Sequence, residues 1–202
     1  MHETLIKDLE YATEIAKRAD NAPLIGGPIG LMWTGLATVA LMAHGAILAR
    51  WVDVPVSMSG LVWAVYGLVG TALTILMARR LVGMPGHRTF ANRVADACWF
   101  AVGIAITIVA ITTVVAFMSG EVGMSAFNFI VPTAFALSAV AYTVLARLTR
   151  HGYLRFAAAA SLASTSITLF IVNEPAMYFV AGVLLIISGV VPSLIEIRKA
   201  AA

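Results

Sequence analysis

Charged residues are scarce in this chain, and their scarcity excludes an ordinary water-soluble fold. They make up 11% of the 202 residues, whereas hydrophobic residues make up 61%. A typical soluble domain carries about 25% charged residues. The charges are also bunched between long apolar runs, whereas a soluble helical bundle would spread them over every helix. The composition therefore indicates a protein whose solvent is the lipid bilayer.

Cysteine is nearly absent as well, because Cys98 is the only one in the sequence. A single thiol cannot form an internal disulfide, and its position in an apolar run favours a simple packing role. The start of the sequence also lacks the features of a signal peptide. It contains Glu3, Asp8 and Glu10, which are too acidic for the basic region that opens such a peptide. We expect no cleavage there.

Ionisable residues are almost missing from the apolar runs, since only His44 lies well inside one of them. Proton relays, ion pumps and voltage sensors place charged residues at membrane depth. Asp96 lies close to the end of its run, beside Arg93, and is interpreted as an interfacial charge. The sequence therefore argues against ion-coupled transport.

Apolar runs long enough to cross a bilayer recur along the chain. A helix needs about 20 apolar residues to cross the hydrocarbon core. The segments that meet this length are 25–49, 56–78, 94–118, 124–146, 152–172 and 176–195. We predict an all-α fold, a polytopic membrane helical bundle of six transmembrane helices over residues 23–199, with a tail at 200–202. Short connections predict that consecutive helices are antiparallel neighbours.

The orientation follows from Lys and Arg, which are enriched in the cytoplasmic loops of membrane proteins. With the N-terminus in the cytoplasm, twelve of the thirteen Lys and Arg residues fall inside, and only Arg50 falls outside. Asp53, Glu121 and Glu174 fall in the outer turns. An odd number of spans would mix these groups. We therefore predict that both termini are cytoplasmic and that the protein lies in the cell inner (plasma) membrane.

Residues 1–22 are predicted to form a separate, short amphipathic cytoplasmic helix. Leu5 and Leu9 begin an apolar face with helical spacing, and the opposite face is charged. Because these charges are of both signs, a partner protein or the protein's own cytoplasmic loops suit this helix better than a lipid surface. The basic residues that are candidates for partner or lipid contact are Arg79, Arg80 and Arg88.

Polar and aromatic residues gather in the outer half of the predicted bundle. The candidates for ligand or pathway contact are His44, Trp63, Tyr66, Asn128, Asn173 and Glu174. They would suit an outward-facing pocket for a small neutral ligand, although polar residues near an interface also cost little. No other histidine lies at the depth of His44, so we predict no haem, metal or other cofactor. Trp51 and Tyr178 are interpreted as interfacial anchors.

The fifth predicted span carries a hydroxyl stripe at helical spacing, formed by Ser161, Thr165 and Thr168. Such hydroxyls either bond to neighbouring backbone as the helices pack or line a polar pathway. Both interpretations stay open.

Glycines at recurring positions favour close approach of helices in lipid. The pairs that carry this pattern are Gly26 with Gly30, Gly60 with Gly67, and Gly182 with Gly189. The same positions could serve contacts between subunits, and a homodimer is therefore one expectation.

The sequence favours a non-catalytic membrane protein. It has no nucleophile elbow and no phosphate-binding loop, and its net charge of +3 records topology rather than nucleic-acid binding. We predict a sensor, regulatory or assembly subunit that acts through cytoplasmic partners and contacts membrane lipids. The alternative is a small facilitative transporter or channel for a small neutral solute, without ion coupling.

Overall fold

A computed structural model describes Ile6, residues 24–81, Gly83, His87 and residues 89–201. In the two long described ranges the fold is all-α. Its helices are α1 (Gly27–Leu48), α2 (Met58–Leu81), α3 (Phe90–Met118), α4 (Ile130–Thr149), α5 (Gly152–Phe170) and α6 (Ala176–Ala201). The predicted helix over residues 1–22 and the candidate Arg88 lie outside the described residues, apart from Ile6.

Two of these helices are accompanied by a turn of a different helical type. A 3-10 turn, Met124–Phe129, leads directly into α4. A π turn, Ile186–Val190, interrupts α6 near its middle. Turns of the π type widen a helix locally and leave its backbone bonding irregular, and they are frequent at functional sites.

Five helices, α1, α2, α3, α6 and α4 with its 3-10 turn, are long and apolar enough to cross a membrane. These helices make the chain a multi-pass membrane protein by length and composition. The remaining helix, α5, has 19 residues and carries Arg155 in its first turn together with several serines and threonines. These polar residues lower its hydropathy relative to the other five.

The helix ends differ from the predicted spans where polar residues continue a helix. α3 begins at Phe90 rather than 94, because the Thr89 side chain caps it by accepting a hydrogen bond from the Asn92 backbone N–H. α6 continues to Ala201 rather than ending at 195, so that Glu196 belongs to the helix. Hydropathy marks where an apolar run ends, whereas the helical backbone continues beyond that point.

The helices pack side by side in the order α2, α1, α6, α5, α4, α3. The last helix therefore lies between α1 and α5. α2 packs mainly on α1, and α3 mainly on α4, so that much of their apolar surface is exposed. Consecutive helices are packing partners as predicted, except for α2 and α3, which are not close partners in the described ranges.

Neighbouring helices run antiparallel, and their connections gather at two ends of the bundle. Along the α1–α6 contact, Gly27 lies beside Ser193 and Gly45 lies beside Phe179. The charged residues described at one end, here called the acidic end, are Arg50, Asp53, Glu121 and Glu174. The Lys and Arg residues described at the other end, here called the basic end, are Arg79, Arg80, Arg93, Arg147, Arg150, Arg155, Arg198 and Lys199.

Two clusters of buried apolar side chains hold the bundle together. The cluster towards the basic end joins α3, α4 and α5, with Leu145 and Leu154 each 1% exposed. The cluster towards the acidic end joins α1, α4 and α6 and includes Leu41, Phe135 and Met177. Of the helices that these clusters join, α1, α4, α5 and α6 are the inner ones, and they position most of the buried polar residues described next.

Candidate functional site

His44 and Trp63 meet where α1 packs against α2. His44 lies one turn before the end of α1 and is 9% exposed. The Trp63 indole N–H donates a hydrogen bond of 2.9 Å to Nδ1 of His44. An imidazole nitrogen that accepts carries no proton, so the neutral ring holds its proton on Nε2. Only Nε2 can therefore offer His44 a further hydrogen bond, as a donor.

Tyr178 extends this contact to two further elements. Its ring lies over the His44 imidazole, with ring centroids 3.9 Å apart. Its hydroxyl donates a hydrogen bond of 2.6 Å to Oδ1 of Asn128, which is in the 3-10 turn before α4. Trp63, His44, Tyr178 and Asn128, here called the His44 cluster, thus connect α2, α1, α6 and the start of α4.

Aromatic residues continue from the His44 cluster along the α1–α2 interface. Tyr66 packs edge-on against Trp63 and against Trp33, at centroid distances of 5.5 and 5.2 Å. The Trp33 indole N–H donates to the Thr74 hydroxyl at 2.9 Å. Trp33 and His44 are separated by about 16 Å of helix, from the helical rise of 1.5 Å per residue. The contacts therefore reach from the acidic end well towards the basic end.

The structure brings together four of the candidates predicted in the outer half, namely His44, Trp63, Tyr66 and Asn128. Asn173 and Glu174 lie in the exposed turn between α5 and α6. Neither of these two side chains makes a hydrogen bond with the His44 cluster in the described residues. Tyr178 and Trp33 were not predicted as site residues, because depth in the membrane places a residue along the bundle axis but not around it.

The hydroxyl stripe of α5 lies mostly at helix interfaces. Ser161 is 1% exposed and Thr168 is fully buried, while Thr165 is half-buried. The hydroxyls of Ser164, Thr165 and Thr168 each donate to a backbone carbonyl one turn earlier. Among the described side chains, only Ser161 Oγ is fully buried without a hydrogen-bond partner.

The predicted glycine positions fall into two groups. Those along the α1–α6 contact are close to side chains of the other helix: Gly26 to Glu196, Gly30 to Ser193, Gly182 to Met42, and Gly189 to Thr34. Gly60 and Gly67 on α2, in contrast, have no described neighbour where a Cβ would lie. We refer to the close-packed α1–α6 contact as the glycine seam.

The described part of the chain offers no obvious metal centre. No group of three or more His, Cys, Asp or Glu residues is placed to hold an ion within it. Arg79 and Arg80, predicted to contact partners or lipids, are exposed in the last turn of α2.

Comparison with known proteins identifies no relative. No protein-family model matches the chain, and neither does a curated protein or a solved structure. Function is therefore inferred from the contacts described above.

Proposed function

We propose that this protein is a regulatory or sensory subunit of the cell inner membrane that crosses the bilayer six times. The observation that carries the proposal is the His44 cluster, which links four elements of the bundle through two hydrogen bonds and a ring contact. Such a cluster can hold the helices in one arrangement and release them together.

The proposed orientation rests on the charges at the two ends. Cytoplasmic loops are enriched in Lys and Arg, and the basic end carries every described Lys and Arg residue except Arg50. The basic end would then face the cytoplasm and the acidic end the outside. In this arrangement α5 is the sixth span, between α4 and α6.

The energetics of the His44 cluster suit a switch. Interhelical hydrogen bonds in membranes are each worth about 0.6 to 2 kcal/mol. The two bonds made by Trp63 and Tyr178 therefore separate alternative helix arrangements by a few kcal/mol, which a ligand or partner can supply by differential binding. An event at the acidic end that moves α6 would change the ring contact of Tyr178 with His44 and the bond of Tyr178 to Asn128.

The output would pass through the cytoplasmic side. Residues 1–22 are separated from α1 by four residues in the sequence, 23–26, and α1 carries His44 near its other end. A change in the position of α1 would therefore alter how residues 1–22, Arg79 and Arg80 are presented to a protein partner.

Facilitative transport of a small neutral solute is the second candidate. Two observations favour it: the unpartnered Ser161 hydroxyl on α5, and the π turn of α6, which packs against α5. Polar groups at a helix interface inside a membrane are the usual lining of a solute path.

Reconstitution of the full chain separates these candidates. A photo-crosslinker at Leu9 would identify partners in native membranes, and vesicles containing the purified protein would be tested with a panel of neutral solutes. We expect a specific crosslinked partner whose yield changes in Trp63→Phe and not in Trp51→Phe, a control whose indole is 72% exposed. Solute flux that is lost in Thr168→Leu, without a partner at Leu9, would overturn the regulatory proposal and support transport.

A further inference from the structure

An acidic side chain lies inside the basic end of the bundle. Glu196 is on α6, close to the aromatic residues Tyr142 of α4 and Tyr153 of α5. The Lys199 ammonium lies 5.1 Å from the centre of the Tyr153 ring. His151 stacks on the same ring, with ring centroids 5.5 Å apart. Glu196 thus lies where α4, α5 and α6 meet.

The partners of the Glu196 carboxylate are the first backbone donors of α1. Glu196 Oε1 lies 3.6 Å from where a Cβ would lie on Gly26, and the backbone N–H groups of Gly26 and Gly27 favour the charged carboxylate. Gly26 is the N-cap residue of α1 and has no side chain that could cap the helix itself. The carboxylate from α6 therefore lies beside donors that a helix start leaves open, and its charge is favourable at the positive end of the helix dipole.

A second residue binds the neighbouring peptide group. Asn92, on α3 and 2% exposed, accepts a hydrogen bond of 3.0 Å from the Ile25 backbone N–H through Oδ1. Its Nδ2 group donates to the Thr89 hydroxyl at 2.9 Å, which fixes the amide orientation. Side chains from two other helices thus meet the start of α1, where Asn92 binds the Ile25 N–H group and Glu196 lies against Gly26 and Gly27.

The residues just before α1 are buried along with these bonds. Leu24 is 2% exposed and Ile25 is 8% exposed, and Leu24 packs in the apolar cluster of α3, α4 and α5. The chain therefore enters α1 from Leu24 and Ile25, which both packing and a hydrogen bond fix.

We propose that Glu196 and Asn92 form a clasp that locks the entry of α1, and that neutralising Glu196 releases it. The clasp couples the cytoplasmic end of α6 to the segment that precedes α1. The charge on Glu196 is the controlling variable, because a carboxylate attracts the glycine N–H groups and offsets the helix dipole, whereas a neutral side chain does less of each. The groups facing the carboxylate are the α1 N–H groups, Tyr142, Tyr153 and, across Tyr153, Lys199 and His151. The clasp does not depend on the partner or solute of the proposed function.

Amide hydrogen exchange of the full chain in vesicles or detergent tests the clasp. The interaction of a partly buried charge with the start of a helix is strong enough that its loss should raise local exchange about tenfold. Glu196→Gln, which keeps the shape and one acceptor, should accelerate exchange of the peptide that covers Leu24 to Gly30, and Glu196→Leu should accelerate it further. Exchange at the other end of α1, near Ile47, should stay unchanged in Glu196→Gln.

Two further variants make this test decisive. Glu174→Gln removes an exposed carboxylate at the acidic end and should leave exchange near Leu24 at the wild-type rate. If Glu196→Leu does not fold, Asn92→Ala provides the second measurement, since it removes the acceptor of the Ile25 N–H group. Unchanged exchange at residues 24–30 in folded Glu196→Gln, or an equal increase in Glu174→Gln, would overturn the proposal. Either result is independent of whether Leu9 crosslinks to a partner.

Discussion

At the scale of single residues, the buried hydroxyl of Ser161 gives the clearest expectation. Its Oγ has no partner among the described groups, although the side chain is only 1% exposed. A buried polar group without a hydrogen bond costs about 1 to 3 kcal/mol. Ser161→Ala should therefore raise the free energy of unfolding by about 1 kcal/mol, measured by thermal unfolding in detergent.

Ser164→Ala is the matched control for this substitution. Ser164 is equally buried, but its hydroxyl donates to the Ala160 carbonyl at 2.8 Å. Its removal should leave stability unchanged or lower it. A Ser161→Ala variant that is less stable than the wild type would mean that Oγ binds a water or solute in the membrane.

Trp63 and His44 carry the second residue-scale prediction. Trp63→Phe keeps an aromatic ring beside Tyr66 and removes the N–H that donates to His44. The variant should lose about 1 kcal/mol of stability, the usual worth of an interhelical hydrogen bond in lipid. Trp51→Phe, at an exposed site stacked on Phe179, should lose less. Equal losses in the two variants would contradict the assigned bond.

The residues of the His44 cluster also show how much of the candidate site could be predicted from the sequence. Charge and hydropathy place His44, Trp63 and Asn128 at a common depth, and the structure joins all three. Tyr178, which contacts both His44 and Asn128, was interpreted only as an interfacial anchor. A residue's direction around its helix depends on which helices are neighbours, and the hydropathy of one chain does not contain that information.

At the scale of helices, the glycine seam predicts contrasting effects of one substitution. A Cβ at Gly189 would lie 2.6 Å from Cγ2 and 3.1 Å from Cβ of Thr34, on a side chain with little freedom to move. Gly189→Ala should therefore destabilise the protein by about 1 to 3 kcal/mol through overpacking. Chemical or thermal unfolding of the purified protein measures this loss.

Gly60→Ala is the control on α2, where a new Cβ meets no described atom. It should be neutral or stabilise by up to about 1 kcal/mol, because alanine favours the helix over glycine. Loss of stability in Gly60→Ala would instead indicate that α2 packs against a second molecule, as expected for a homodimer. Gly60 and Gly67 have the same spacing as Gly182 and Gly189. The sequence therefore could not distinguish glycines in a buried seam from glycines on an open helix face.

The clasp shows a second limit at the helix scale. The predicted sixth span ended at 195 and so did not include Glu196, whereas α6 continues through it to Ala201. Asn92 was likewise placed before the third span, although α3 begins at Phe90. Apolar run length locates the membrane-facing part of a helix, whereas local capping, such as that by Thr89 at α3, determines where the helix begins.

At the scale of the whole molecule, the main features are the two charged ends and the packing order of the helices. The all-α fold and the multi-pass character follow from composition and run length. The position of α6 between α1 and α5 does not follow from short connections, because those favour only consecutive neighbours. This insertion of α6 creates both the glycine seam and the clasp. The sequence predicted close packing at the seam's glycines, but neither the pairing of α1 with α6 nor the clasp.

The central claim of the proposed orientation is that α5 crosses the membrane, with the His44 cluster towards the outside and the clasp towards the cytoplasm. Single-cysteine variants test it in a Cys98→Ser background, with a membrane-impermeant maleimide applied to intact cells. Glu174→Cys, after α5, should react in intact cells, whereas Arg150→Cys, before α5, should react only once the membrane is opened. If both positions react in the same compartment, α5 does not cross the membrane, and the proposed orientation is wrong.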